Sequence, residues 1–118
     1  TEYIDWWYKN GDSGKQHYAV SYIDGTGTKA LFYVDFVIRM KNGQIFLFDT
    51  KSVGSDGDAP AKHNALIDYM ASEENKSKHL KGGVIIADGS NWKYSPLKIE
   101  NTTDIINWDC FYPSDYKE

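Results

Sequence analysis

The chain has 118 residues, enough for one domain with a single core and too few for two. Thirteen Lys and Arg against seventeen Asp and Glu give a formal net charge of −4, which argues against a free-standing nucleic-acid binder held by a broad basic face and leaves room only for a local patch. The single cysteine, Cys110, excludes an internal disulfide framework and any cysteine-based zinc site, and it fits a reducing, cytoplasmic setting.

In chain order, Tyr3 to Lys9 and His17 to Ile23 are aromatic and β-branched, and the turn residues NGDSGK between them predict a β-hairpin. The turn DGTGTK leads into a strand from Leu31 to Met40, and KNG returns the chain into a strand from Gln44 to Lys51, which completes a four-strand antiparallel meander. After the loop VGSDGD, Asp58 is placed to cap a helix with Pro60 in its first turn, and Lys62, Leu66, Tyr69 and Met70 share the face expected to lie on the sheet. KGG ends that segment, and VIIA from Val84 to Ala87 reads as a buried central strand parallel to a neighbour. DGSNWKYSP is a loop or short edge strand, and TTDIINWDCF is too mixed to assign. The expected fold is therefore α/β, a mixed sheet with one packed helix, in a single domain spanning residues 1–118. No apolar run approaches the roughly 20 residues that cross a bilayer, so no membrane partner is expected. The first residue is Thr1, as expected of a piece of a longer protein.

The hydrophobic run from Leu31 to Ser52 contains Asp35, Asp49 and Lys51, and a charge in such a run needs a partner. Alternation along the strands decides where the three point. A two-residue turn at Asn42-Gly43 would set Phe36 against Asp49. A three-residue turn, Lys41-Asn42-Gly43 with Gly43 left-handed, pairs Ile38 with Phe46 and Phe36 with Phe48, so that apolar meets apolar. The same register puts Asp35 across from Asp49, with Lys51 one step along on the same face. Directly opposed carboxylates repel at a Cβ separation of roughly 5 Å. A hard divalent cation relieves the repulsion, and Asp, Asp and Lys around Mg²⁺ suit phosphodiester hydrolysis. The bland alternative is a solvated ion-pair cluster on the sheet surface.

Asp35 followed across a hairpin by Asp49-Thr50-Lys51 resembles the signature of the PD-(D/E)XK nuclease superfamily. The stretches WWYKNGDSGK, LFYVDFVIRMKNGQIFLFDTKS and AKHNALIDYM resemble, more specifically, the C-terminal nuclease domain of type III restriction and helicase-nuclease proteins. The resemblance implies a restriction-endonuclease-like fold and Mg²⁺-dependent cleavage of double-stranded DNA, with Mn²⁺ as a substitute. By the same likeness Asp35, Asp49 and the backbone carbonyl of Thr50 are the metal ligands and Lys51 is the catalytic lysine. It implies as partners a helicase or translocase domain in the same protein and a modification or recognition subunit. Three positions depart from the pattern. Val34 replaces the motif's proline, Glu2 is the only counterpart of a metal-proximal Glu, and Ala65 stands where some relatives carry a Gln before Tyr69, which leaves Lys62 or Asn64 for that role. The rival reading is a non-catalytic module that docks to DNA or to a motor.

Lys62 either contacts phosphate or lays its stem along the core. Lys9 either touches DNA backbone or supports the first hairpin. Trp6 and Trp7 are expected in the core, and Cys110 is expected to be buried. His17, His63 and His79 lack metal-ligand spacing and are expected at the surface or as caps.

Overall fold

The computed structural model describes residues 2–10, 18–54 and 57–116. The turn expected at NGDSGK and His17 lie largely or wholly outside these residues. Among these described residues eight strands follow the order β1 (Ile4–Lys9), β2 (Ala19–Ile23), β3 (Lys29–Tyr33), β4 (Phe36–Met40), β5 (Ile45–Lys51), β6 (Lys81–Asp88), β7 (Asn91–Tyr94) and β8 (Asp109–Cys110), with one α-helix, α1 (Ala59–Ala71), between β5 and β6. Six of the strands form one sheet in the order β1-β4-β5-β6-β7-β8, while β2 and β3 form a separate two-stranded hairpin.

The expected four-strand meander is thus not what forms. The long strand from Leu31 to Met40 breaks at Val34 and Asp35, and β3 leaves with β2 to pack on the helix. Strand β1 lies antiparallel to β4 instead, with Trp7 against Ile38 and Lys9 against Phe36. The break also shifts the side-chain phase by one residue. Val34 and Val37, three apart, both enter the core under α1, whereas Ile38 and Met40 pack on the opposite side. Trp6 and Trp7 are exposed on the edge strand rather than in the core; Trp6 stacks on Tyr8 and Trp7 tilts against Phe36.

The β4–β5 hairpin forms in the expected register. Ile38 pairs with Phe46 and Phe36 with Phe48. Gly43 has φ +93°, a left-handed value that side chains disfavour, and its N–H donates to Met40 O at 2.9 Å. Gln44 closes the turn, donating its N–H to Asn42 Oδ1 at 2.9 Å.

Strand β6 runs parallel to β5, Asp49 beside Val84, with α1 as the crossover. The buried face of α1 is Ala59, His63, Leu66 and Met70. His63 therefore takes the place expected for Lys62, and it is neither a surface nor a capping residue. Its ring is fully buried: Nδ1 accepts from Val84 N–H at 3.0 Å, which leaves Nε2 to donate to Leu97 O at 2.9 Å, and the ring stacks on Trp108. Burial pushes the imidazole below its ordinary pKa, partly opposed by the hydrogen bond to Leu97. Gly82 and Gly83 do not end the helical segment but lie inside β6, because backbone and ring approach too closely for any side chain. A Cβ on Gly82 would stand 2.0 Å from Leu47 O, and one on Gly83 2.5 Å from His63 Cε1.

Two cores result. Val20, Val34, Val37, Leu47, Leu66, Met70 and Leu80 fill the space beneath the helix. On the other face Phe46 and Phe48 stack together and meet Tyr94 and Phe111 edge-on. Strand β7 is internal, with β8 beyond it, and Cys110 is half-buried. Among the described residues no helix is long and apolar enough to cross a membrane.

Because the His63 ring is held at both nitrogens and cannot yield, Gly83→Ala should destabilise the fold by about 3 kcal/mol. Gly57→Ala, where a Cβ meets nothing within 4 Å, should be close to neutral. Urea unfolding of the two variants beside the parent measures the contrast.

Candidate active site

Asp49 shares a face of β5 with Leu47, and on that face Val37 pairs with Leu47 beneath α1. The strand thus carries its carboxylate into the core boundary, where Asp49 is only 5% exposed. A solvated ion-pair cluster does not describe such a position. Asp35 sits at the bend between β3 and β4, just outside the ladder. Its carbonyl accepts from Asn10 N–H at 2.8 Å. Its Oδ2 accepts from both the backbone N–H and the hydroxyl of Thr50, each at 2.9 Å. Thr50 alternates to the face opposite Asp49, yet at the end of the paired region it holds the second acid in place. Lys51 completes the group with Nζ 3.6 Å from Asp49 Oδ2.

Asp49 Oδ2 is buried without a hydrogen-bond partner. The Lys51 ammonium lies beyond hydrogen-bond reach, so the pair is an ion pair of modest strength. The Asp49 carboxyl is pushed up to about 6, chiefly by burial and next by the Asp35 charge; the Lys51 charge opposes this, a hydrogen bond to Asp35 adds to it, and the Lys62 charge opposes it weakly. The two acids are therefore near enough for their charges to interact, and their repulsion is not cancelled by the lysines.

Such a site suits a hard cation. Two neighbouring carboxylates, one with an unpartnered oxygen, offer the oxygen donors that Mg²⁺ prefers, and Mg²⁺ keeps its remaining positions for waters and substrate oxygens. Among the described residues no group of three or more His, Cys, Asp or Glu is placed to hold a metal ion.

The remaining candidates separate. Lys62, on the first turns of α1, places Nζ 5.7 Å from the Tyr22 ring centroid and 6.0 Å from that of Phe32, near enough to Asp49 for its charge to register there. Asn64 is not brought to the acids. Its Nδ2 donates to Ile99 O at 2.8 Å and its Oδ1 accepts from Ile99 N–H at 2.7 Å, which ties the helix to the segment after β7. Lys9 pairs with Phe36, and by that register it leaves the sheet on the face opposite Asp49. The Thr50 side chain was not foreseen as part of the site; its signal is a polar residue continuing the row of Phe46 and Phe48. Compared with protein families, with curated proteins and with solved structures, the chain matches none of them.

The raised Asp49 carboxyl costs stability once it ionises. The unfolded carboxyl titrates near 3.8 and the folded one near about 6, so the cost grows as pH rises through that interval and is complete above it. In chelator, Asp49→Asn should therefore stabilise the protein at pH 7.5 by up to about 3 kcal/mol, with the gain shrinking below pH 6 and absent below about pH 4. His63 acts in the opposite sense, losing stability as pH falls below the range of an ordinary histidine, and it is common to both proteins. Paired unfolding curves across this pH range test the assignment.

Proposed function

We propose that this domain is a Mg²⁺-dependent endonuclease that hydrolyses phosphodiester bonds of double-stranded DNA, and that it serves as the cleavage domain of a type III-like restriction enzyme. One atom carries the reading: Asp49 Oδ2, buried, without a hydrogen-bond partner, beside the Asp35 carboxylate and 3.6 Å from the Lys51 ammonium. A fold gains nothing from that convergence unless a cation joins it, because an unpaired buried charge only costs free energy.

Asp35, Asp49 and the Thr50 backbone carbonyl would hold Mg²⁺, or Mn²⁺ in its place. The cation supplies charge neutralisation and electrophilic activation of the phosphate. Lys51 orients the attacking water and offsets negative charge that develops on the phosphoryl oxygens. Water attacks phosphorus, the bond to the 3′ oxygen breaks, and the products are a 5′-phosphate and a 3′-hydroxyl. Thr50 keeps Asp35 from swinging away, and so fixes one side of the cation site. Lys62 on α1, whose charge reaches Asp49, would meet a phosphate bound there.

The charge balance bears on partners. With 13 Lys and Arg against 17 Asp and Glu, few cations remain to neutralise a length of duplex. Tethering to a translocating domain, alongside a recognition or modification subunit, would supply the DNA at high local concentration. Incubation with supercoiled plasmid should produce nicked or linear product in Mg²⁺ and none in chelator. Asp49→Ala should abolish cutting, and Lys51→Ala should slow it by at least about 100-fold while the fold persists. Wild-type cutting by either variant would refute the mechanism, and docking without cutting by the parent protein would favour a non-catalytic module.

A further inference from the structure

The β2–β3 hairpin lies on α1, and its two strands alternate between faces. Val20 enters the core with Leu66, and Tyr22 and Phe32 share its side of the hairpin, whereas Ser21, Ile23, Leu31 and Tyr33 are exposed on the other. Val20 pairs with Phe32 and Tyr22 with Ala30, so Tyr22 and Phe32 are diagonal neighbours, and their rings meet edge to face with centroids 5.6 Å apart. The Lys62 ammonium lies over both rings, 5.7 Å from the Tyr22 centroid and 6.0 Å from that of Phe32. That is about the distance at which a ring face attracts a cation.

A lysine that only laid its stem along the core would send its ammonium out to water. Here the ammonium itself rests on two rings, and its charge is still felt at Asp49. The rings restrict one of the most flexible side chains, whose rotamer freedom must be lost before it can hold a phosphate, so less is lost when a phosphate arrives. The same strand leads to the acids. Three residues after Phe32, past the fully buried Val34, the chain reaches Asp35. One short segment thus carries both a ring that holds the ammonium and a carboxylate of the site.

We infer that Tyr22, with Phe32 beside it, is a positioning residue that holds the Lys62 ammonium ready for an oxygen of the phosphate to be cut. The inference rests on the nuclease reading and adds to it the part played by the β2–β3 hairpin. A phosphate bound at Asp35 and Asp49 comes within range of the Lys62 charge, since that charge already acts on Asp49. An ammonium has three N–H donors, so it can lie on a ring and still donate to a phosphate oxygen. Removing the ring leaves the charge but frees it to wander. The effect of Tyr22 on the substrate is therefore felt only through Lys62.

The test is a double-mutant cycle on binding of a fluorescent DNA duplex, in Ca²⁺ so that nothing is cut, over a range of salt concentrations. Lys62→Met keeps the stem and removes the charge; affinity should fall about 8-fold at about 0.1 M salt, and the slope of log K against log salt should drop by about 0.9, the share of one phosphate. Tyr22→Leu alone should lower affinity about 2- to 5-fold and have no effect in Lys62→Met, while Tyr22→Phe, which keeps the ring, should bind as the parent does. The Lys62 ε-methylene protons report the same contact by NMR without any variant: the rings should shift them upfield of an ordinary lysine. An ordinary shift, parent-like binding by Tyr22→Leu or Lys62→Met, equal loss from Tyr22→Leu in both backgrounds, or loss in Tyr22→Phe would each overturn the inference. Plasmid cutting in Mg²⁺ by the same preparations separates it from the reading beneath: a parent that shows the coupling but cuts nothing loses the nuclease reading alone, and one that cuts without the coupling loses only the inference.

Discussion

The pairing of Phe36 with Phe48, imposed by a three-residue turn that only a left-handed Gly43 closes, governs the positions of the charges in this domain. With those aromatics facing each other on one side of the sheet, Leu47 and Asp49 must point to the other, under α1. Leu47 finds Val37 and Leu66 there, whereas Asp49 finds Asp35 and a distant ammonium. A slip of one residue would send Asp49 into the aromatic face and Phe48 toward the helix, so the energy that fixes the carboxylate is mostly the energy of apolar packing elsewhere on the strand. The acid is held in an unfavourable place by residues that gain from being where they are. A carboxyl raised from 3.8 to about 6 corresponds to a penalty of about 3 kcal/mol, small beside the burial of Phe46, Phe48 and Leu47 together.

A second constraint acts through His63. Its two nitrogens tie α1 to Val84 of β6 and to Leu97 beyond β7, and Gly83 clears the space for the ring. Asn64, next along the helix, adds a two-point tie to Ile99. Together these contacts set how α1 crosses the sheet, and so where Lys62 stands relative to Asp49. They also hold the β6–β7 region. The buried histidine serves geometry rather than chemistry, since both of its polar atoms are already used.

The β4–β5 hairpin is legible in the sequence because turn chemistry and alternation agree on one register. The parallel strand from Val84 is legible for a similar reason: a short apolar run after a helix has few other places to go. The break at Asp35 is not legible. Alternation continues from Phe32 to Met40 without interruption, and nothing local announces that β3 leaves the sheet; the departure depends on Val20, Tyr22 and Phe32 finding α1, which are contacts distant in sequence. The place of β1 beside β4 follows from that departure and is hidden with it. At the site, Asp49 and Lys51 follow from parity alone, and Asp35 comes to them even though it lies outside the ladder. The roles of Lys62 and His63 are easily exchanged in a helical-periodicity argument, because residues one apart lie about 100° apart on the helix and only the tertiary ties of His63 decide which is inside.

The central claim is that Asp35 and Asp49 share one cation, and the most direct measurement is the titration of the Asp49 carboxyl carbon by NMR with and without Mg²⁺. Without metal the midpoint should lie near about 6. Saturating Mg²⁺ should move it down, because the cation favours the ionised form, and Asp35→Ala should remove most of that metal-dependent shift. A midpoint that is the same in the presence and absence of Mg²⁺ would contradict the account.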